Sequence, residues 1–190
     1  LRGKDYYQKL LNTYPDHSFI TLSYLDLPNR LIEVEKQLEK NLKIAQKFTD
    51  KTKEGKVKDN QQERERLEEE IAFLKSCIDR GDSVVPLSGT LTVEFGKTSE
   101  NLYAGMNEEF RHYQPAIPTW FETAQHSFER GAETHNMGGI ENNLEGGLIN
   151  FKSKFNPTIE EFVGEFNYPT SSLYFLFNLA YKIRKKLRSR

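Results

Sequence analysis

Residues 28–81, PNRLIEVEKQLEKNLKIAQKFTDKTKEGKVKDNQQERERLEEEIAFLKSCIDRG, hold two apolar seams on either side of a polar turn. In the first half Leu31, Val34, Leu38, Ala45 and Phe48 follow the alternating three- and four-residue steps of a heptad, with Asn41 in the slot between. Leu67, Ile71, Leu74 and Ile78 repeat the alternation in the second half. Residues so spaced share one helical face, so two helices are expected to pack back to back, with TKEGKVKDN as the turn. Pro28 suits a helix start and Gly81 the position just past an end. The stretch predicts an antiparallel coiled-coil arm over 28–80, its limbs about 30 Å long at about 1.5 Å per residue. Asn41 in the seam sets register at some cost in stability. Cys77, beside Ile78, is expected to be a half-buried packing residue, since no base lies near it to make a nucleophile.

Outward from the arm the periodicity changes. DYYQKLLNTY (5–14) predicts an amphipathic helix and SFITLSYLDL (18–27) a strand. After the arm, residues 84–106 predict two strands about a turn at Gly96 to Asn101, and a helix starts at an Asn107 cap, interrupted by Pro115 and Pro118. A strand is expected at ETHNM (133–137), a short helix through INFKSKF (149–155) and a strand at EEFVGEF (160–166). The last helix, from Ser172, places Leu173, Leu176, Phe177, Ala180, Tyr181 and Leu187 largely on one face, expected to pack on the core. The fold class is therefore mixed α/β, an α+β arrangement interrupted by the helical arm.

A chain of 190 residues, 36% hydrophobic and 12% aromatic, is composed like a folded domain. It has no apolar run of about 18 residues and no leader pattern, so neither secretion nor a membrane span is expected. One cysteine fits a reducing compartment, the cytoplasm by default. The absence of an initiating Met and an opening inside a helical pattern suggest part of a longer protein. Net charge is −1, yet residues 81–181 carry 13 acids against 5 bases, whereas 43–58 carry 6 bases against 2 acids and 182–190 carry 6 bases and no acid. Such basic ends attract nucleic acid or an anionic membrane face, or are simply solvated helix ends.

Gly138, Gly139, Gly146 and Gly147 fall just ahead of Phe151-Lys152. Glycines allow a tight turn or a close backbone approach to a ligand. His17, His112, His126 and His135 lack the spacing of a metal site, and no Walker loop, GxSxG elbow or GxGxxG is present. No metal and no cofactor is expected.

The runs ENLYAGM (100–106), GAETHNMGGI (131–140) and GLINFKSKFNPTIEEFVGEFNYP (147–169), with a helical hairpin ahead of a strand pair, resemble the carboxy-terminal half of the Fem/Mur aminoacyltransferases. These non-ribosomal peptidyltransferases add amino acids to the stem peptide of peptidoglycan precursors. The resemblance covers nearly the whole chain, and NMGGI with GLxxFKxxFxPxxEEFxGEF is specific in combination. It implies a GNAT-like subdomain over 1–27 and 81–190, one of two that form a substrate cleft, carrying the arm at 28–80.

The resemblance further implies aminoacyl-tRNA and a lipid-linked or UDP-linked muramyl peptide as partners, with a peripheral association at the inner membrane face. An aminoacyl ester needs no protein nucleophile; it needs positioning and a group that offsets the developing oxyanion. Lys152 matches the lysine assigned to that task, with Phe151 shaping the site, and its alternative is a surface lysine on an amphipathic helix. Tyr103 matches a tyrosine lining the precursor site, or is a strand aromatic. Gly138 and Gly139 bring backbone to the substrate, or make a tight turn. Lys154 lies on another helical face, and Glu160, Glu161 and Glu165 receive no catalytic role. Lys47, Lys51, Lys53, Lys56 and Lys58 at the arm tip are expected to meet tRNA phosphates. The rival readings are a coiled-coil protein-interaction module and an acyl-CoA-dependent N-acyltransferase, whose glycine-rich pyrophosphate loop is not evident.

Overall fold

The computed structural model describes residues 3–140, 145–164, 166, 168–171 and 173–188. They form two units, Leu1–Phe155 and Asn156–Arg190. The first begins with α1 (Lys4–Thr13), β1 (Ser18–Asp26), α2 (Leu27–Ala45), α3 (Glu54–Asp79), β2 (Val84–Phe95) and β3 (Thr98–Met106). A 3-10 helix (Glu108–Tyr113), α4 (Ala116–Glu129), β4 (Thr134–Asn136), α5 (Gly147–Lys152) and a 3-10 turn (Ser153–Phe155) complete it. The sheet runs β1-β2-β3-β4, antiparallel except for the parallel β3-β4 pair. A mixed sheet with packed helices is thus the observed architecture.

Helix α2 starts where chemistry permits it: the Asp26 carboxylate accepts from the Asn29 amide at 2.9 Å, and Pro28 occupies the first turn, where no amide is needed. The seam residues Val34, Asn41, Leu67 and Leu74 are buried, and Leu31, Leu38, Ile71 and Ile78 half-buried. The helices run antiparallel, joined by Asn41 Nδ2 donating to the Asn60 carbonyl and Asn60 Nδ2 to that of Asn41. The turn is shorter and earlier than expected. Helix α3 starts at Glu54, inside TKEGKVKDN, because a single glycine in the first turn costs little helix, and the loop is residues 46–53.

Cys77 is not half-buried but 0% exposed, its thiol pushed up by desolvation, because the root of the helix pair shares one core with the sheet. That core joins Leu27, Val34, Leu67, Leu74 and Cys77 to Val85 and Leu87 of β2 and to Phe110. Beside it the buried Glu70 carboxylate accepts from Arg30 (2.8 Å), Arg66 (3.0 Å) and Tyr113 (2.9 Å). Burial pushes this carboxyl up, and the bonds from Arg30 and Tyr113 outweigh it, leaving it below the usual range.

The hairpin turn between β2 and β3 is only Gly96-Lys97, with Gly96 at φ +57°, not the whole of Gly96 to Asn101. Ser99 and Asn101 look like turn residues but are buried strand residues with polar partners: Thr92 donates to the Asn101 side-chain oxygen at 2.7 Å. The helix after β3 is also two pieces. Asn107 caps the 3-10 helix, Gln114 turns left-handed at φ +51°, and α4 starts anew, with Pro118 in its first turn where a proline breaks nothing. Helix α4 packs on the sheet through hydroxyls rather than methyls. Thr119, Thr123 and Ser127, four apart, lie buried over β2, where Ser88 and Thr90 meet Thr119 and Thr123.

In the second unit residues 156–164 form neither helix nor strand, so EEFVGEF is not a strand over its described part; Glu165 lies outside the described residues. Its alternation competes with Pro157 and Gly164, and among the described residues of the unit no strand is present to pair with it. Helix α6 (Leu173–Arg188) forms as expected. Its apolar face is not core-packed: Leu176 is 66% and Phe177 69% exposed, since the described residues of that unit form no other helix or strand to cover them. Among the described residues no helix is long and apolar enough to cross a membrane.

Candidate functional site

Lys152 closes α5, and the helix turns its side chain inward, leaving 5% of the residue exposed. Its ammonium donates to the carbonyls of Gly138 (2.8 Å) and Gly139 (2.7 Å). Among the described residues the third N–H has no partner and no carboxylate pairs with the charge. Desolvation lowers the lysine's pKa, as burial does for any ammonium. The Trp120 ring lies 6.0 Å from Nζ, near enough for its face to attract the cation. Phe151 meets Trp120 edge-on at 5.2 Å, and Phe155 packs on Phe151 at 5.5 Å, so an aromatic wall closes one side. Lys154, two residues on, is exposed.

The glycines divide by role. Gly138 sits at φ +76°, where a Cβ is strained, and a Cβ there would lie 3.8 Å from both Lys152 Nζ and the Asn101 carbonyl. Its amide donates to the Asn136 side chain at 2.8 Å. Asn136 ends β4, whose register with β3 places it beside Glu100. The Gly138–Gly139 turn thus presents two carbonyls to the lysine, while Gly146 and Gly147 simply start α5. Two buried polar atoms lie on the strands leading here without partners among the described residues: Asn101 Nδ2 and His135 Nε2. His135 Nδ1 shares a 2.8 Å bond with the Ser99 hydroxyl, and desolvation lowers its pKa.

The structure therefore gathers Lys152, Phe151, Gly138 and Gly139, and sets Tyr103 against α1. Tyr103 hydrogen-bonds Tyr6 at 3.0 Å and meets the Tyr6 and Tyr7 rings of α1 edge-on. Lys47, Lys51, Lys53, Lys56 and Lys58 are exposed around the α2–α3 loop. Sequence reasoning missed Trp120 and Asn136. Trp120 belongs to no motif, whereas Asn136 opens NMGGI, and an Asn two residues before a glycine is the signature of a side-chain-capped turn.

An ammonium in a nearly dry pocket, held by dipoles with no neutralising carboxylate among the described residues, is equipped to stabilise negative charge that appears beside it. No group of three His, Cys, Asp or Glu suited to a metal gathers among the described residues.

The FemAB family model matches residues 1–182. The lipid II:glycine glycyltransferase of Staphylococcus saprophyticus subsp. saprophyticus is 30% identical over a 170-residue alignment that covers 85% of this chain and 39% of that protein. Aminoacyltransferase FemA of Staphylococcus aureus is 25% identical over a 204-residue alignment that covers 100% of this chain and 47% of that protein. The crystal structure of FemX shares the fold at a TM-score of 0.53 and 23% identity, over 80% of this chain and 42% of that one. The chain spans less than half the length of these relatives. Its match over residues 1–182 shows that the chain belongs to the FemAB family.

Proposed function

We propose that this chain supplies the Lys152 centre of an aminoacyltransferase of peptidoglycan bridge synthesis. The acyl donor is aminoacyl-tRNA and the acceptor is the stem-peptide amine of a lipid-linked or UDP-linked muramyl peptide. The observation that carries the reading is the buried ammonium of Lys152, bonded to two carbonyls and paired with no described carboxylate. The amine attacks the ester carbonyl, a carbon–nitrogen bond forms and the carbonyl oxygen becomes an oxyanion. Lys152 donates its remaining N–H to that oxygen. The carbon–oxygen bond to the ribose then breaks, the ribose hydroxyl leaves with a proton, and the amine nitrogen releases one. Support comes from the family and from relatives named for glycine transfer to lipid II and for aminoacyl transfer.

In this reading residues 1–27 and 81–190 belong to a GNAT-like subdomain and 28–80 to a coiled-coil arm. The rest of the cleft comes from the length that the relatives have and this chain does not span, so the chain alone transfers nothing. In the complete protein, Lys152→Met raises the transfer barrier by about 2 to 4 kcal/mol, the usual cost of removing an oxyanion donor, while Lys154→Met changes little. The measurement is radiolabelled aminoacyl transfer from charged tRNA to a lipid-linked precursor. Equal losses for the two variants would remove the role from Lys152.

A further inference from the structure

The direction of the Lys152 ammonium is set at one remove. Its two acceptors are the carbonyls of a turn whose first residue, Gly138, is left-handed at φ +76°. One side-chain bond fastens that turn to the sheet: the Gly138 amide donates to Asn136 Oδ1 at 2.8 Å. Asn136 is the last residue of β4, and its backbone is set by the register of β4 against β3. We infer that Asn136 is a positioning residue for Lys152: its side-chain oxygen fixes the Gly138 turn, and the turn's carbonyls aim the ammonium.

The physical case is a chain of three directional contacts starting from a rigid strand. An amide oxygen that closes a turn onto the amide two residues ahead selects one turn geometry from those a glycine pair could adopt. Gly138 and Gly139 have no side chains of their own to hold that geometry, so the Asn136 bond is what ties their carbonyls to the strand. A lysine stem is flexible, and its head follows its acceptors. Misplacing a catalytic group by about 1 Å costs about a hundredfold in rate, so breaking the Asn136–Gly138 bond is felt at the reacting atoms although Asn136 touches none of them.

The inference rests on the proposed role of Lys152 for its consequence in catalysis, but its geometric part is tested without catalysis. In this chain, the rate at which an amine-directed acylating reagent modifies Lys152 is measured by peptide mass spectrometry as a ratio to the exposed Lys154. Asn136→Ala raises the ratio about tenfold, and Asn136→Asp, which keeps the acceptor oxygen, leaves it near the wild-type value. If Asn136→Ala does not fold, Asn136→Gln, whose oxygen is displaced by one methylene, takes its place against Asn136→Asp. An unchanged ratio in the displaced or deleted variant, or an equal rise in Asn136→Asp, overturns the inference. In the complete protein Asn136→Ala lowers kcat about tenfold or more with the KM for the charged tRNA unchanged, and Asn136→Asp restores it. A ratio that moves as expected while Lys152→Met leaves transfer intact sustains the positioning role and overturns the functional reading. A Lys152→Met loss with no response of either readout to Asn136→Ala does the reverse.

Discussion

His135 carries a cost that pH exposes. Desolvation lowers its pKa below the ordinary imidazole value, and Nε2 is buried without a described partner, so the folded state prefers the neutral ring. As pH falls through about 6.5 the unfolded chain takes up this proton first, and stability falls until the lowered folded pKa is passed. The penalty is complete below that value and absent above about pH 6.5. Urea unfolding between about pH 7.5 and about pH 5 should therefore show a larger loss of stability in the wild type than in His135→Gln. Parallel curves would mean that the ring is already solvated. Lys152 shifts in the same direction and for the same reason, desolvation, but in the alkaline range: its penalty is complete below the lowered pKa and is relieved as pH rises toward the ordinary lysine value. The identity of Lys152 was legible in the sequence through the FK step. Its acceptors were not, because carbonyl direction depends on φ and ψ rather than on residue type.

The contact between α4 and β2 makes a sharper test of how polar groups hold two pieces of secondary structure together. The Thr123 hydroxyl donates to the Thr119 carbonyl at 2.7 Å, so in its 2.7 Å bond with Thr90 it accepts. Thr123→Val then strands a buried donor on Thr90, at a cost of about 1 to 3 kcal/mol, whereas Thr90→Val removes a donor and strands nothing. Adding Thr90→Val to Thr123→Val should recover part of the loss, giving a coupling of about 1 kcal/mol in a double-mutant cycle read by denaturant unfolding. Additive losses would show that the two hydroxyls act separately. No periodicity signal announces this layer, because Thr and Ser score as polar in both the strand and the helix. The helix pair was legible for the opposite reason: Leu, Val and Ile at heptad spacing have one economical way to leave water. Its turn was misplaced by several residues because Lys, Val and Asp accept helical geometry once a neighbouring helix supports them.

The helix pair is rooted in the shared core and carries five exposed lysines around its far loop. Under the proposed function this end meets tRNA. Changing Lys47, Lys51, Lys53, Lys56 and Lys58 to Gln should weaken tRNA binding and flatten its dependence on salt, by up to about one unit of log–log slope for each phosphate no longer neutralised. Filter binding over a salt series measures this, with anionic liposomes as the comparison, expected to be unaffected. Unchanged affinity and slope would make the pair a protein-docking or oligomerising arm instead.

Periodicity and end chemistry were enough to determine the helix pair, the strand pair beyond it, α1, α5 and α6, because each rests on residues close in the chain. The family resemblance picked out the FK step and the glycine pairs. The fold alone settled which candidates meet. Tyr103 went to the rings of α1, while the Gly138 and Gly139 carbonyls, with Asn136 holding their turn, and the Trp120 ring converged on the Lys152 ammonium. The physical reason is that a buried charge must find its acceptors wherever packing leaves them, and which carbonyls point at it depends on backbone angles and packing rather than on residue type.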